Sequence, residues 1–183
     1  MALTLQAAGH YLKTRNESEF EEKLFRILYN KGYKIVYEDL RKRELKGYCW
    51  PAKRLIGLDK FLNRIEHKCT LCEETGHALY PPIQNTVKFH QKSYWSLDAN
   101  TRSEVNYFRA QNERPGLIWA TSILVLDFEF WEFANKGPWE WREWLERFEV
   151  TEDIMHWKIG FMRTKERFKC QNIIKRVPPQ GGF

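Results

Sequence analysis

The chain has 183 residues, of which 43% are hydrophobic and 15% aromatic, and its formal net charge is +6. A chain of this length suits one domain with a sizeable core, and its composition excludes a disordered polymer. The sequence contains no run of about 18 apolar residues that could cross a membrane, and its first residues lack the basic and apolar segments of a secretory signal. We therefore expect a cytoplasmic protein with reduced cysteines and no membrane contact.

The N-terminal part of the sequence predicts one helix followed by a small sheet. Residues 18–30 place apolar side chains at helical spacing, and Lys31-Gly32 ends that pattern. Strand-like runs follow between glycines and prolines, at 33–37, 45–50 and 54–58. We expect these three strands to form an antiparallel sheet.

The rest of the chain reads mainly as helices, so the predicted fold class is α+β. A helix capped by Asp59 or Asn63 should run to about Leu79, because Pro81-Pro82 cannot continue it. Residues 80–100 have no clean period, and a long insertion beside a site is often a lid or binding loop. Further helical patterns start at Thr101, near Glu113 (through Phe130), at Trp139 (through Phe148) and at Thr151 (through Phe161). The last two of these helices resemble a helix-turn-helix unit.

The motif whose residues could perform catalysis lies on the helix that is predicted to end at Leu79. Glu73 and His77 are four residues apart, so both project from the same side of that helix and can bind one metal ion. Glu74 is the next position round the helix, where a carboxylate reaches a water activated by the ion. Glu74 is therefore the predicted general base, and Gly76 leaves room for a close helix neighbour.

Three segments resemble the ImmA/IrrE family of metallopeptidases. Residues 69–79, CTLCEETGHAL, resemble its active-site helix, in which glutamate or histidine occupies the first ligand position. Glu113, followed by Gly116 and Trp119-Ala120, resembles the later helix that supplies the third ligand. Residues 145–154 resemble the segment that precedes the last helix of the family. The matches extend, with gaps, from about residue 18 to residue 161.

The resemblance implies a minimal zincin-like metallopeptidase with a small sheet, an active-site helix and a C-terminal helical pair. It divides the chain into a peptidase core over 1–130, the helical pair over 131–168 and a loose basic tail over 169–183. It implies Zn²⁺ or another divalent metal, held by Glu73, His77 and Glu113. It also implies a substrate: a repressor-type regulator, often encoded by a phage or mobile element.

Two departures from the family pattern leave open which residues bind the metal and whether the site is catalytic. Glutamate stands where the first histidine is usual, so the site could bind metal weakly or lack catalysis. The separation of His77 from Glu113 is also long, and Glu104 is the rival third ligand. His90 is a further candidate ligand or oxyanion donor, whereas His67 is too far along the helix axis to share the metal.

Other features have alternative interpretations. Cys69 and Cys72, with Cys49 and Cys170, could form a structural zinc site, but their helical context favours buried thiols. Tyr94 and Trp95 could line a peptide groove or form a satellite cluster. A non-catalytic protein that sequesters a regulator is the first rival function. The second is a nucleic-acid binder that uses the terminal helices, although Glu152 and Asp153 suit phosphate contact poorly.

Overall fold

The computed structural model describes residues 19–81, 88–91 and 114–165. Within these residues the chain is an α+β protein, as predicted, with six α-helices and a four-stranded sheet. The helices are α1 (Glu19–Asn30), α2 (Arg64–Leu79), α3 (Arg114–Leu124), α4 (Asp127–Asn135), α5 (Trp141–Phe148) and α6 (Glu152–Lys165). The strands are β1 (Lys34–Glu38), β2 (Leu45–Trp50), β3 (Leu55–Asp59) and β4 (Lys88–Gln91). None of the described helices has the length and apolarity needed to cross a membrane.

The sheet is mixed, so the prediction of an antiparallel sheet is wrong for one of its pairs. The strand order is β1-β3-β2-β4, with β2 antiparallel to both its neighbours and β1 parallel to β3. Two turns explain this arrangement, each closed by a left-handed residue, Glu44 (φ 53°) and Arg54 (φ 46°). Two reversals of the chain return β3 to the direction of β1, and β3 inserts between β1 and β2.

Helix α2 is the centre of the structure and is buried along most of its length. Its start is fixed by Asn63, whose Oδ1 accepts a hydrogen bond from the Glu66 amide at 2.9 Å. The Glu66 carboxylate accepts in turn from the Asn63 amide at 3.2 Å. This reciprocal capping box selects Asn63 over Asp59 as the cap. The helix ends at Leu79, as predicted from the two prolines that follow.

The helical region after α2 differs from the prediction at two points. The expected single helix through Phe130 is wrong, because Leu126 adopts an extended conformation between α3 and α4. The break lets Phe130 turn into an aromatic cluster, where its ring centroid lies 5.1 Å from that of Trp144. Strand β4 was not predicted, since four residues are too few to show an alternating pattern. The C-terminal pair is present as α5 and α6.

Candidate metal centre

Helix α2 buries an acid and an imidazole on the same side. Glu74 and His77 are both 0% exposed, whereas Glu73 is half-buried. Residues three apart lie on one face of a helix, so the two buried side chains are neighbours along the axis. The predicted base and one predicted ligand are therefore together inside the protein, with Glu73 nearer the surface.

Strand β2 passes close to Glu74 at Gly47. A Cβ atom at position 47 would lie 3.2 Å from Oε1 of Glu74 and 2.6 Å from Cγ2 of Thr70. Any larger residue would therefore push the strand away from the helix. The absence of a side chain at Gly47 brings the β2 backbone over the buried carboxylate.

Helix α3 approaches the other part of the motif through two glycines. A Cβ at Gly76 would collide with the backbone of Gly116, and a Cβ at Gly116 would lie 2.7 Å from Nδ1 of His77. The expectation that Gly76 permits a close helix neighbour is therefore confirmed. The imidazole of His77 lies against the first turn of α3, the helix predicted to bring the third ligand.

The third ligand itself lies outside the described residues. Glu113 directly precedes α3 in the sequence and comes three residues before Gly116, while Glu104 is further upstream. His90 belongs to β4, the strand beside β2, but its side chain is not among those described. Tyr94 and Trp95 also lie outside. Among the described residues no three histidine, cysteine, aspartate or glutamate side chains form a group that could hold a metal ion.

His67 has a different environment, which the sequence did not reveal. Its Nδ1 lies 2.8 Å from Oε1 of Glu21, and its Nε2 lies 3.0 Å from the hydroxyl of Tyr37. All three side chains are buried, and they connect α1, β1 and α2. The spacing of Glu21 contained a signal, since Glu21, Leu24 and Leu28 share one stripe of α1. A glutamate on an apolar stripe predicts a buried partner.

The described cysteines are buried thiols, as expected. Cys69 and Cys72 lie within α2, where burial raises the pKa of Cys69 to about 11 and that of Cys72 well above its usual value. A metal ligand must be a thiolate, and burial in apolar surroundings favours the neutral thiol. Cys49 is buried in β2, and Cys170 lies outside the described residues.

Comparisons of the chain with family models, curated proteins and solved structures give no match. The resemblance to the ImmA/IrrE family therefore rests on the sequence segments alone.

Proposed function

We propose that this chain is a metal-dependent endopeptidase that cleaves a specific partner regulator of the repressor type. The observation that carries the proposal is the burial of Glu74 and His77 on one face of α2. Backbone of β2 and α3 lies against them at Gly47 and Gly116. Burying ionisable groups is costly, and proteins retain them where they pair or bind a metal.

The donor chemistry suits a divalent ion of the zinc type. Imidazole nitrogen and carboxylate oxygen are both ordinary zinc ligands, and catalytic sites use three protein ligands. We assign His77 and Glu73 as two of them and Glu113 as the third, with Glu104 as the alternative. Because Gly116 already lies against His77, a ligand three residues before it is favoured.

Glu74 is the residue that moves protons in this proposal. A bound divalent ion supplies a water of lowered pKa. The Glu74 carboxylate would accept a proton from that water and return it to the leaving amine.

Co-expression tests this function directly. The chain is produced with each regulator encoded beside it, and the size of the regulator is followed by electrophoresis and mass spectrometry. We expect one cut, which disappears in Glu74→Gln. Losing an acid–base catalyst typically lowers the rate by about 10²–10⁴-fold.

The control is Glu66→Gln, on the same helix. Glu66 is the third residue of the capping box, a position where glutamine serves as well as glutamate. This variant should fold and cut like the wild type. Binding without a cut, unchanged in Glu74→Gln, would replace the enzyme by a protein that sequesters its regulator.

A further inference from the structure

A pocket lies on the opposite side of α3 from the candidate metal centre. It has a volume of about 190 Å³ and is formed by α3, α6 and the start of α4. Its apolar wall comes from Ile118, Phe161 and Met162. The residues of α3 that turn toward this pocket differ from Gly116 and Ala120, which are buried in the protein interior.

The pocket carries an excess of positive charge. Among the described residues Arg114, Lys158 and Lys165 line it together with one carboxylate, Asp127, so these three cations and one anion have a formal charge of +2. The ammonium groups of Lys158 and Lys165 both contact Asp127, the latter at 2.9 Å. Burial opposes ionisation of Asp127, but the two hydrogen bonds outweigh it and lower its pKa. Burial also lowers the pKa of Lys158, although its hydrogen bond to Asp127 opposes that shift.

The cations differ in how firmly they are held. Lys158 is only 2% exposed and is fixed by Asp127, whereas the Lys165 side chain is 55% exposed. Arg114 is exposed, and its guanidinium lies 5.8 Å from the ring centroid of Phe161. Within the described residues no carboxylate forms an ion pair with Arg114. The pocket thus combines a rigid cation inside with two accessible cations outside.

The hydroxyl groups of the pocket are engaged elsewhere. Thr121, Ser122 and Thr164 each donate to the carbonyl oxygen three residues earlier in their own helix, at 3.2, 2.8 and 2.8 Å. They cannot donate to a ligand at the same time. A sugar or other neutral ligand that needs many hydrogen bonds is therefore a poor fit, and the cations are the groups that select an occupant.

The size of the pocket further limits which molecules could occupy it. Its volume of about 190 Å³ is below the roughly 300–1,000 Å³ of typical small-molecule sites. A side chain of a protein partner is small enough to fit this volume. The apolar wall of the pocket suits a hydrophobic group next to the negatively charged group of that partner. We propose that this pocket binds an acidic residue flanked by an apolar residue in a protein partner of the chain. This proposal does not depend on peptidase activity.

Peptide titration followed by NMR tests the proposal. The probes are acetyl-Leu-Glu-Leu-amide and its glutamine analogue, added to the ¹⁵N-labelled full chain. We expect the glutamate peptide to shift amides of α3 and α6 around the pocket and to bind at least about tenfold more tightly, since hydrogen bonds to charged groups are the stronger ones. Added salt should weaken its binding.

Variants of the pocket show whether its cations cause the preference for the glutamate peptide. The pair Arg114→Gln and Lys165→Gln should remove the preference for glutamate, while Lys158 is kept because Asp127 depends on it. The matched control is Lys136→Gln, which loses an ion pair with Glu132 on the surface of α4 but leaves the pocket intact. Equal binding of the two peptides, or a preference that survives the double substitution, would overturn the proposal. So would binding of inorganic phosphate as tight as that of the glutamate peptide.

Discussion

Helix α2 carries two buried histidines whose surroundings differ. His67 is 3% exposed and His77 is 0% exposed, so burial does not distinguish them. Both ring nitrogens of His67 lie within hydrogen-bond distance of side chains, the Glu21 carboxylate of α1 and the Tyr37 hydroxyl of β1. His67 thus connects two elements to the first half of α2.

Backbone of a neighbouring helix lies close to the ring of His77. Gly116 of α3 lies against its ring, and Gly47 of β2 lies against Glu74 on the same face. Glycines in this arrangement bring main chain close to an acid and an imidazole. Burial alone therefore does not assign a role to a histidine: His67 connects three elements of the fold, and His77 lies beside Glu74 in the site that we propose.

The largest expected effect concerns the network of His67. His67→Ala leaves the Glu21 carboxylate and the Tyr37 hydroxyl without their shared partner inside the protein. A buried hydrogen bond that loses one partner typically costs about 1–3 kcal/mol, so the loss of both should cost about 2–6 kcal/mol. Urea denaturation should therefore show a loss of this size in the free energy of unfolding.

A milder variant calibrates that result. Tyr37→Phe removes one hydroxyl and should cost about 1 kcal/mol, the usual contribution of one hydrogen bond. If His67→Ala cost no more than Tyr37→Phe, the network would not be the structural tie described above.

The glycine contact beside His77 should give the next largest effect. Gly116→Ala places a methyl group 2.7 Å from Nδ1 of His77, 3.0 Å from the carbonyl carbon of Gly76 and 3.1 Å from the backbone nitrogen of His77. Overpacking of this kind typically costs about 1–3 kcal/mol, which thermal or urea unfolding would measure.

Gly160 provides the matched control on α6. A Cβ there meets no atom of the described part of the chain within 4 Å, so Gly160→Ala should be neutral or stabilise the helix by up to about 1 kcal/mol. Equal effects of the two substitutions would contradict the tight contact at Gly116.

The smallest effect concerns a third histidine, His156 on α6. Its ring stacks on Trp141 with centroids 4.4 Å apart, and burial lowers its pKa from 6.5. The folded state then binds a proton at His156 less readily than the unfolded state does. The contribution of His156 to the free energy of unfolding is therefore complete above pH 6.5 and is lost as the pH falls below that value.

A comparison of the wild type with His156→Gln isolates the pH-dependent contribution of His156 to stability. Free energies of unfolding measured between pH 8 and pH 5 should decline less steeply in the variant as the solution becomes acidic. A steeper decline in the variant would mean that the folded protein favours the protonated ring.

Local signals in the sequence were enough to predict the elements near the site. Pro81-Pro82 predicted the end of α2, and the start was narrowed to Asp59 or Asn63, of which the structure selects Asn63 through its capping box with Glu66. The parallel pairing of β1 with β3 could not be predicted, because it depends on strands that are far apart in the chain. The four residues of β4 were too few for a pattern.

For the side chains too, neighbouring residues in the sequence predict some contacts, whereas others depend on elements that are far apart in the chain. Helical spacing predicted that Glu73 and His77 share a face with Glu74 one position further round, and Gly76 predicted a close neighbour. That Glu74 and His77 are fully buried while Glu73 is only half-buried was not predicted. The partners of His67 come from two other elements, so only the tertiary structure identifies them. The third metal ligand stays a prediction, with Glu113 and Glu104 both outside the described residues.

The central claim is that His77 binds a metal ion and His67 does not. The most direct measurement is calorimetric titration of Zn²⁺ into the chelator-treated full chain and its variants. The account predicts one site in the wild type and in Glu74→Gln, because Glu74 serves the chemistry and not the coordination. In His77→Ala the affinity should fall by more than about 100-fold, since even residues outside the ligand set change it by about 10–100-fold. Tyr37→Phe, at the other histidine, should leave zinc binding unchanged. A wild-type chain that takes up no zinc, or a His77→Ala variant that binds it equally well, would contradict the account.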